Sequence, residues 1–251
     1  MRYIYIYCLI ILFAFILPNP GFARNITIPE GIWSYDDDYT GQEDWGAVKA
    51  YADCEKGTQQ SPVNITYTRS TQLPALNFKY SSAEGSLKLV PNKLFGFYAI
   101  KGGTIVVGDE VYSLDAIEIH SPSSHRVKDG FYPGEIHLIH KNSNGDMLIV
   151  AEFINIGAEN AAVAEMIKHI LEKKPTKFTV NTDSLISDRH SYYAYDGSLP
   201  YPPCSENVHW KIIKKPITIS REQLASITRI IGRNSRLPQP IYMREVLESI
   251  P

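Results

Sequence analysis

Two stretches near the middle of the chain, Ala116-Ile-Glu-Ile-His120 and Glu135-Ile-His-Leu-Ile-His140, alternate between apolar and polar residues with a period of two. Only an extended strand places such alternating residues on opposite faces, so these two runs commit the chain to a sheet. Further strand-like runs cover Leu87 to Val90, Phe95 to Ile100 and Thr104 to Val107. Met147 to Ile156 is a longer apolar run broken by Glu152, which either faces solvent or is a buried acid with a partner. Helical patterns are fewer. Ala158 to Lys173 places Ala162, Met166, Ile170 and Leu171 on one face and ends in Lys-Lys-Pro. Ser220 with Gln223 forms a capping box ahead of the stripe Leu224, Ile227, Ile231. Strands joined by loops, with a few peripheral helices, predict a mainly β (α+β) domain.

The start of the chain predicts export. Arg2 precedes an apolar run from Tyr3 to Leu17, and Gly21-Phe22-Ala23 has the small-x-small form of a cleavage site. The run is shorter than the roughly 20 residues a spanning helix needs. Residues 1–23 are therefore expected to be a signal peptide and 24–251 one domain, secreted or periplasmic, with no membrane attachment after cleavage. Cys8 would leave with the signal, and Cys54 and Cys204 remain. An oxidising compartment favours their pairing over two buried thiols. A formal net charge of −2 gives no electrostatic case for nucleic-acid binding. Residues 24 to 60 read as an irregular arm, in which Asp36-Asp37-Asp38 is a solvated loop. Asn25-Ile-Thr27 and Asn64-Ile-Thr66 are glycosylation sequons that matter only in a eukaryotic secretory path.

Within one strand, Glu118 and His120 project to the same face, as do Glu135, His137 and Ile139 in the other. If the strands are neighbours, Glu118, His120 and His137 can converge on one ion. Two imidazoles and a carboxylate are a known zinc set with a fourth position open. Glu135 could then orient His137 from behind. Spacing alone does not separate this from ordinary hydrogen-bonded strand histidines.

A series of ordered motifs adds to that reading. Trp33-Ser-Tyr35 with Gly41 and Trp45, Gln60-Ser-Pro-Val-Asn-Ile65, His120-Ser-Pro-Ser-Ser-His125 and Glu135-Ile-His-Leu-Ile-His140 resemble successive segments of alpha-type carbonic anhydrases. So do Tyr195 through Trp210, Asn234 through Pro240, and Arg244-Glu-Val246. The resemblance spans about residues 33–248, essentially the whole domain. The Ser-Pro-Ser form, Gly157-Ala-Glu-Asn160 and Pro202-Pro-Cys-Ser-Glu206 are most similar to the bacterial branch. It implies a large, twisted, mostly antiparallel central sheet with a conical metal cleft. It also implies a zinc cofactor, CO2 and bicarbonate as substrates, and a Cys54–Cys204 disulfide. An apolar substrate pocket from Ile139, Ile149, Leu199 and Trp210 is implied as well, with Tyr35 a surviving site residue.

The chain departs from the family pattern at the positions that carry its chemistry. Glu118 stands where the family has its first His ligand, and Ala116 where a Gln bonds that ligand. Pro200 replaces the Thr that orients hydroxide, and Ser124 replaces the Glu that accepts the Thr proton. The proton-shuttling His falls near Leu94. A carboxylate ligand cancels one unit of the zinc charge, so water on it is harder to deprotonate. Pro200 has neither a hydroxyl nor an N–H donor. Three readings stay open. The first is a secreted carbonic-anhydrase-like protein with a degenerate zinc site, weak or absent CO2 hydration and a binding role toward a protein or glycan partner. The second is an active zinc carbonic anhydrase using Glu118, His120 and His137. The third is another metal-assisted hydrolysis, for which zinc peptidases offer a His2Glu precedent.

Overall fold

The computed structural model describes residues 30–89, 95–172 and 177–250. The signal-like start and Leu94 lie outside the described residues. Among the described residues a twelve-stranded sheet dominates. Its centre is formed by β1 (Glu110–His120), β2 (Gly134–Lys141), β3 (Met147–Ile156), β4 (Tyr192–Ser198) and β5 (Glu206–Ile219). Spatially the order is β1-β2-β3-β5-β4, with Phe95–Lys101, Ser82–Leu89 and Lys177–Asn181 continuing beyond β1. Leu247–Ser249 and Arg69–Thr71 continue beyond β4. Most pairings are antiparallel. The β3–β5 pair and the pair at the far edge are parallel.

Both faces of the central strands are covered, so β2 is buried at every position except Lys141. One face presents Ile117 and Ile119 of β1, Ile136 and Leu138 of β2, and Leu148, Val150 and Ile154 of β3. Against it pack α1 (Ala161–Glu172), through Ala162, Val163 and Met166, and α2 (Arg221–Ile231), through Ile227 and Ile231. The Asn160 side chain caps α1 by accepting from the Ala162 and Val163 amides, so the helix starts three residues after the predicted Ala158. Leu171, expected on the buried face, is exposed. It lies one residue past Ile170, which the 100° step per residue turns away from the sheet. The Ser220–Gln223 capping box forms as read from the sequence, and Gly232, at φ +64°, ends α2.

The opposite face carries Ala116, Ile139, Ile149, Ala151, Phe153, Tyr195, Trp210 and Ile212. β1 changes phase on the way to it. Tyr112 and Leu114 pack with the helix-side core, Ala116 with the other, and the β1–β2 register shifts between Leu114 and Ala116. Glu152 points to the helix side and is buried. It accepts hydrogen bonds from the Ser187 amide (3.0 Å) and Ser187 hydroxyl (2.9 Å), the partnered alternative left open by the sequence. Burial pushes its carboxyl well above the usual range despite the bonds from Ser187.

The arm before the sheet is irregular, as expected, with short helical turns at Trp45–Ala47, Lys49–Tyr51 and Asp53–Lys56. Trp33, Tyr35 and Trp45 meet edge to face within a small core of their own. A Cys54–Cys204 disulfide, with Cα atoms 5.0 Å apart, ties this arm to the loop after β4. The tie extends to the Gln60-Ser61 motif. Gln60 donates to the Cys204 carbonyl (3.0 Å), and the Ser61 amide donates to Ser198 Oγ (2.9 Å).

Candidate metal centre

The antiparallel register of β1 and β2 sets Glu118 opposite His137 and His120 opposite Glu135. Directly opposed residues share a face, so all four side chains point to the same side of the sheet. Glu118, His120 and His137 each expose 1% or less of their surface. One nitrogen or oxygen from each lies within 4.8 Å of the others, and Glu118 Oε2 is 3.8 Å from His120 Nε2.

Each of these side chains is gripped from behind. The His120 Nδ1–H donates to the Asn234 carbonyl (2.8 Å), which leaves Nε2 a bare lone pair. The His137 Nε2–H donates to Glu135 Oε1 (2.8 Å), which leaves Nδ1 bare. Glu118 Oε1 accepts from the Tyr201 hydroxyl (3.0 Å), leaving Oε2. Those three remaining atoms, Glu118 Oε2, His120 Nε2 and His137 Nδ1, are buried with no hydrogen-bond partner among the described residues. Orphaned buried polar atoms are costly, and three converging acceptors without a donor are what a cation would satisfy. The residues therefore fit a divalent metal, with one carboxylate and two neutral imidazoles as donors. Burial, with His120 alongside, lowers the His137 pKa to about 3, so the ring stays neutral as a ligand requires.

A second grouping, His125, Glu135 and His137, is equally compact but already satisfied. Glu135 Oε1 accepts from His125 Nδ1 (2.6 Å) as well as from His137, and Oε2 accepts from the His125 amide (2.8 Å). Burial alone would raise the Glu135 carboxyl, but His125 and His137 outweigh it and hold it well below the usual range. His125 Nε2 lies 2.7 Å from the Tyr195 hydroxyl, which donates to Ser61 Oγ (2.8 Å). The chain Ser61–Tyr195–His125–Glu135–His137 thus fixes one imidazole through four linked partners.

The replaced positions are also in place. Ala116 is buried and offers Glu118 nothing polar. Pro200 is buried, and the buried Ser124 hydroxyl has no partner among the described residues. Tyr35 is buried with an unpartnered hydroxyl, and burial, with the Glu118 charge second, holds its phenol well above the usual range. Ile139, Ile149 and Trp210 are buried in one cluster with Leu199 packed at its edge. Sequence reasoning gave no role to His125, Tyr201 or Asn234. His125 had a signal, since it ends the quoted His120-to-His125 segment and is followed by the strand carrying Glu135. Tyr201 had none, because its contact with Glu118 spans 83 residues of sequence.

The eukaryotic-type carbonic anhydrase family model matches residues 40–250. A carbonic anhydrase of Klebsiella pneumoniae is 32% identical over 89% of this chain and 93% of its own length. Among solved structures, the alpha-carbonic anhydrase of Thermovibrio ammonificans, in complex with the inhibitor sulfanilamide, superposes with a TM-score of 0.79. It is 30% identical and covers 86% of this chain and 98% of its own. Dioscorin complexed with ascorbate superposes at 0.80 with 24% identity, covering 87% of this chain and 98% of its own, a likeness of fold alone.

Proposed function

The chain belongs to the eukaryotic-type carbonic anhydrase family, and on that premise we propose that it is an exported member whose Glu118, His120 and His137 hold zinc weakly and whose CO2 hydration is slow or absent. One observation carries this reading. The donor set has a carboxylate at its first position, and the two positions that would aim the nucleophile hold Pro200 and an unpartnered Ser124.

Zinc, when bound, supplies the positive charge that acidifies water, and a carboxylate donor cancels part of it. The protein's own groups do the rest. Asn234 and Glu135 fix the tautomers of His120 and His137, and Tyr201 holds one Glu118 oxygen. Ile139, Ile149 and Trp210 give the site an apolar side suited to CO2. No hydroxyl or backbone N–H at Pro200 aims a nucleophile at it. Export is supported by the apolar start and by the Cys54–Cys204 pairing.

A second reading, an active carbonic anhydrase with a His2Glu site, draws on the same three lone pairs, each already oriented by an outer partner. Metal content together with a stopped-flow CO2 hydration rate separates the two. The first reading expects substoichiometric zinc and a rate far below that of an intact three-His relative. Rapid, zinc-dependent hydration would replace it with the second.

A further inference from the structure

Leu237, in the segment after α2, is 46% exposed and lines two neighbouring hollows of opposite charge. The first, about 340 Å³, is lined by Asp36, Asp37, Asp38, Glu43 and Asp44 and by no Lys or Arg. The second, about 220 Å³, is lined by Arg126, Arg233 and the buried Arg236 and by no Asp or Glu. Arg229 stands about one turn before Arg233, near the end of α2. All five acids are exposed, as are Arg229 and Arg233, and Arg126 is half-buried. Gln42 fixes the acidic side to the segment that carries Leu237. Its Nε2 donates to the Ser235 carbonyl (3.4 Å), and its Oε1 accepts from the Leu237 amide (2.7 Å). Asp37, Glu43, Asp44, Arg126, Arg229 and Arg233 form no ion pair among the described residues. Tyr39, 53% exposed, lines the acidic hollow, and Phe131, 63% exposed, the basic one. Exposed apolar and aromatic side chains rimmed by charge mark a surface that binds protein.

We propose that this face pairs with the same face of a second copy of the chain, across a twofold axis at Leu237, so that the acidic side of each copy meets the arginine side of the other. In a twofold contact a patch meets whatever lies equally far on the other side of the axis. An axis at Leu237 therefore brings Asp37 and Glu43 of one copy to the arginines of the other, and does so twice. It also sets the two Leu237 side chains together, with Tyr39 toward Phe131 of the partner subunit. Arginine suits the role, because a guanidinium takes a carboxylate through two parallel N–H bonds. The charge pattern selects the occupant. A free polyanion or an anionic bilayer drawn to the arginines would be repelled by the acidic loop beside them, whereas a second copy satisfies both signs at once. The pairing is expected to be weak, with a Kd on the order of 10 µM, because the face is small and exposed ion pairs are screened by salt. No metal ligand takes part, so the pairing stands or falls separately from the proposed function.

The test is sedimentation velocity of the purified protein from about 1 to about 200 µM, at about 50 mM and about 500 mM sodium chloride. A monomer–dimer equilibrium should appear at low salt and weaken about tenfold at high salt. Two double variants reverse one side each, Asp37→Lys with Glu43→Lys and Arg126→Glu with Arg233→Glu. Either alone should lose self-association at least tenfold, since both of its contacts now set like charges together. Mixed in equal amounts, the two should form a one-to-one heterodimer, because each reversed side then meets its opposite. Leu237→Asp, which sets two carboxylates at the axis, should also abolish the dimer. All three variants alter surface positions, and melting temperatures close to the parent's show that loss of pairing is not loss of fold. A monomer at every concentration, oligomers larger than the dimer, a dimer unchanged by the reversals, or two reversed variants that fail to pair would overturn the assignment. So would a monomer whose arginine side binds polyglutamate, which would give the surface to an acidic peptide.

Discussion

The Tyr201 hydroxyl donates to Glu118 Oε1 at 3.0 Å, linking the loop after β4 to the carboxylate that stands among two imidazoles. The Tyr201 ring is itself stacked on Trp33, 6.0 Å between centroids and 3° from parallel. The bond takes one carboxylate oxygen out of play and leaves the other as the single donor. It also provides an outer partner where Ala116 provides none. Tyr201→Phe keeps the ring and removes the bond. Loss of an outer partner costs about 10- to 100-fold in metal affinity, so zinc competition against a chelating dye should show a loss in that range with the melting temperature little changed. Unaltered affinity would make the contact merely structural.

His137 is expected to be indispensable for metal. Its Nδ1 is one of the three orphaned atoms, and its other nitrogen is committed to Glu135. His137→Ala should abolish stoichiometric zinc by elemental analysis. Glu135→Gln, which keeps an acceptor but removes the charge, should weaken zinc by about 10- to 100-fold without abolishing it. Zinc retained in full by His137→Ala would place the ion elsewhere.

CO2 hydration is expected to respond to joint repair and not to single changes. Glu118→His, Ala116→Gln, Pro200→Thr and Ser124→Glu together restore the donor set and the relay, and the rate should rise by several orders of magnitude. Groups that act as a unit are not additive. Pro200→Thr alone should therefore change little, because Ser124 cannot accept the proton the new hydroxyl would pass on. A large gain from that single change would show that the relay runs through another residue.

Stability should fall with acid for a reason outside the metal centre. His140 is buried on the helix side of β2, with its ring against Tyr80, and burial lowers its pKa to about 4. The unfolded chain takes up a proton near pH 6.5 and the folded one only near 4, so stability is lost as pH falls between those values. By pH 5 the loss amounts to about 2 kcal/mol. Glu152, raised above its ordinary value, acts in the opposite sense and gains stability as pH falls. Urea unfolding at pH 7 and pH 5 should show a smaller pH difference in His140→Asn than in the parent.

Reduction of the Cys54–Cys204 bridge, which spans 150 residues, should cost up to about 5 kcal/mol by chain-entropy arithmetic. Non-reducing mass spectrometry of exported protein should find the bridge and a chain beginning at Arg24. Two free thiols, or a retained leader, would refute the export reading.

The strands were legible because alternation is a local signal, and the β1 and β2 runs carried it through Glu118, His120, Glu135 and His137. The Ser220 capping box was legible for the same reason. Pairing of β1 with β2 is long-range, so the convergence of Glu118, His120 and His137 could be posed from sequence only as a condition. Asn234 and Tyr201 stayed hidden because their bonds to the site cross 114 and 83 residues. Leu171 was misplaced by a step of one residue, where helical periodicity is weakest as a guide.

The phase change in β1 makes the strand two instruments joined at Asp115. On the hairpin side, residues 112 and 114 face the helices, while beyond the joint residues 117 and 119 do. A length change in the Thr104–Val107 hairpin can thus be absorbed at the joint without turning Glu118 and His120 away from His137. Deleting Asp115 removes that slack. The strand would then alternate regularly, with Tyr112, Leu114, Ile117 and Ile119 still toward the helices and Glu118 and His120 still opposite His137 and Glu135, but a later one-residue change in the hairpin would have no joint to absorb it. The site's inheritance through drift in its neighbouring loop depends on a residue that touches neither metal ligand nor pocket.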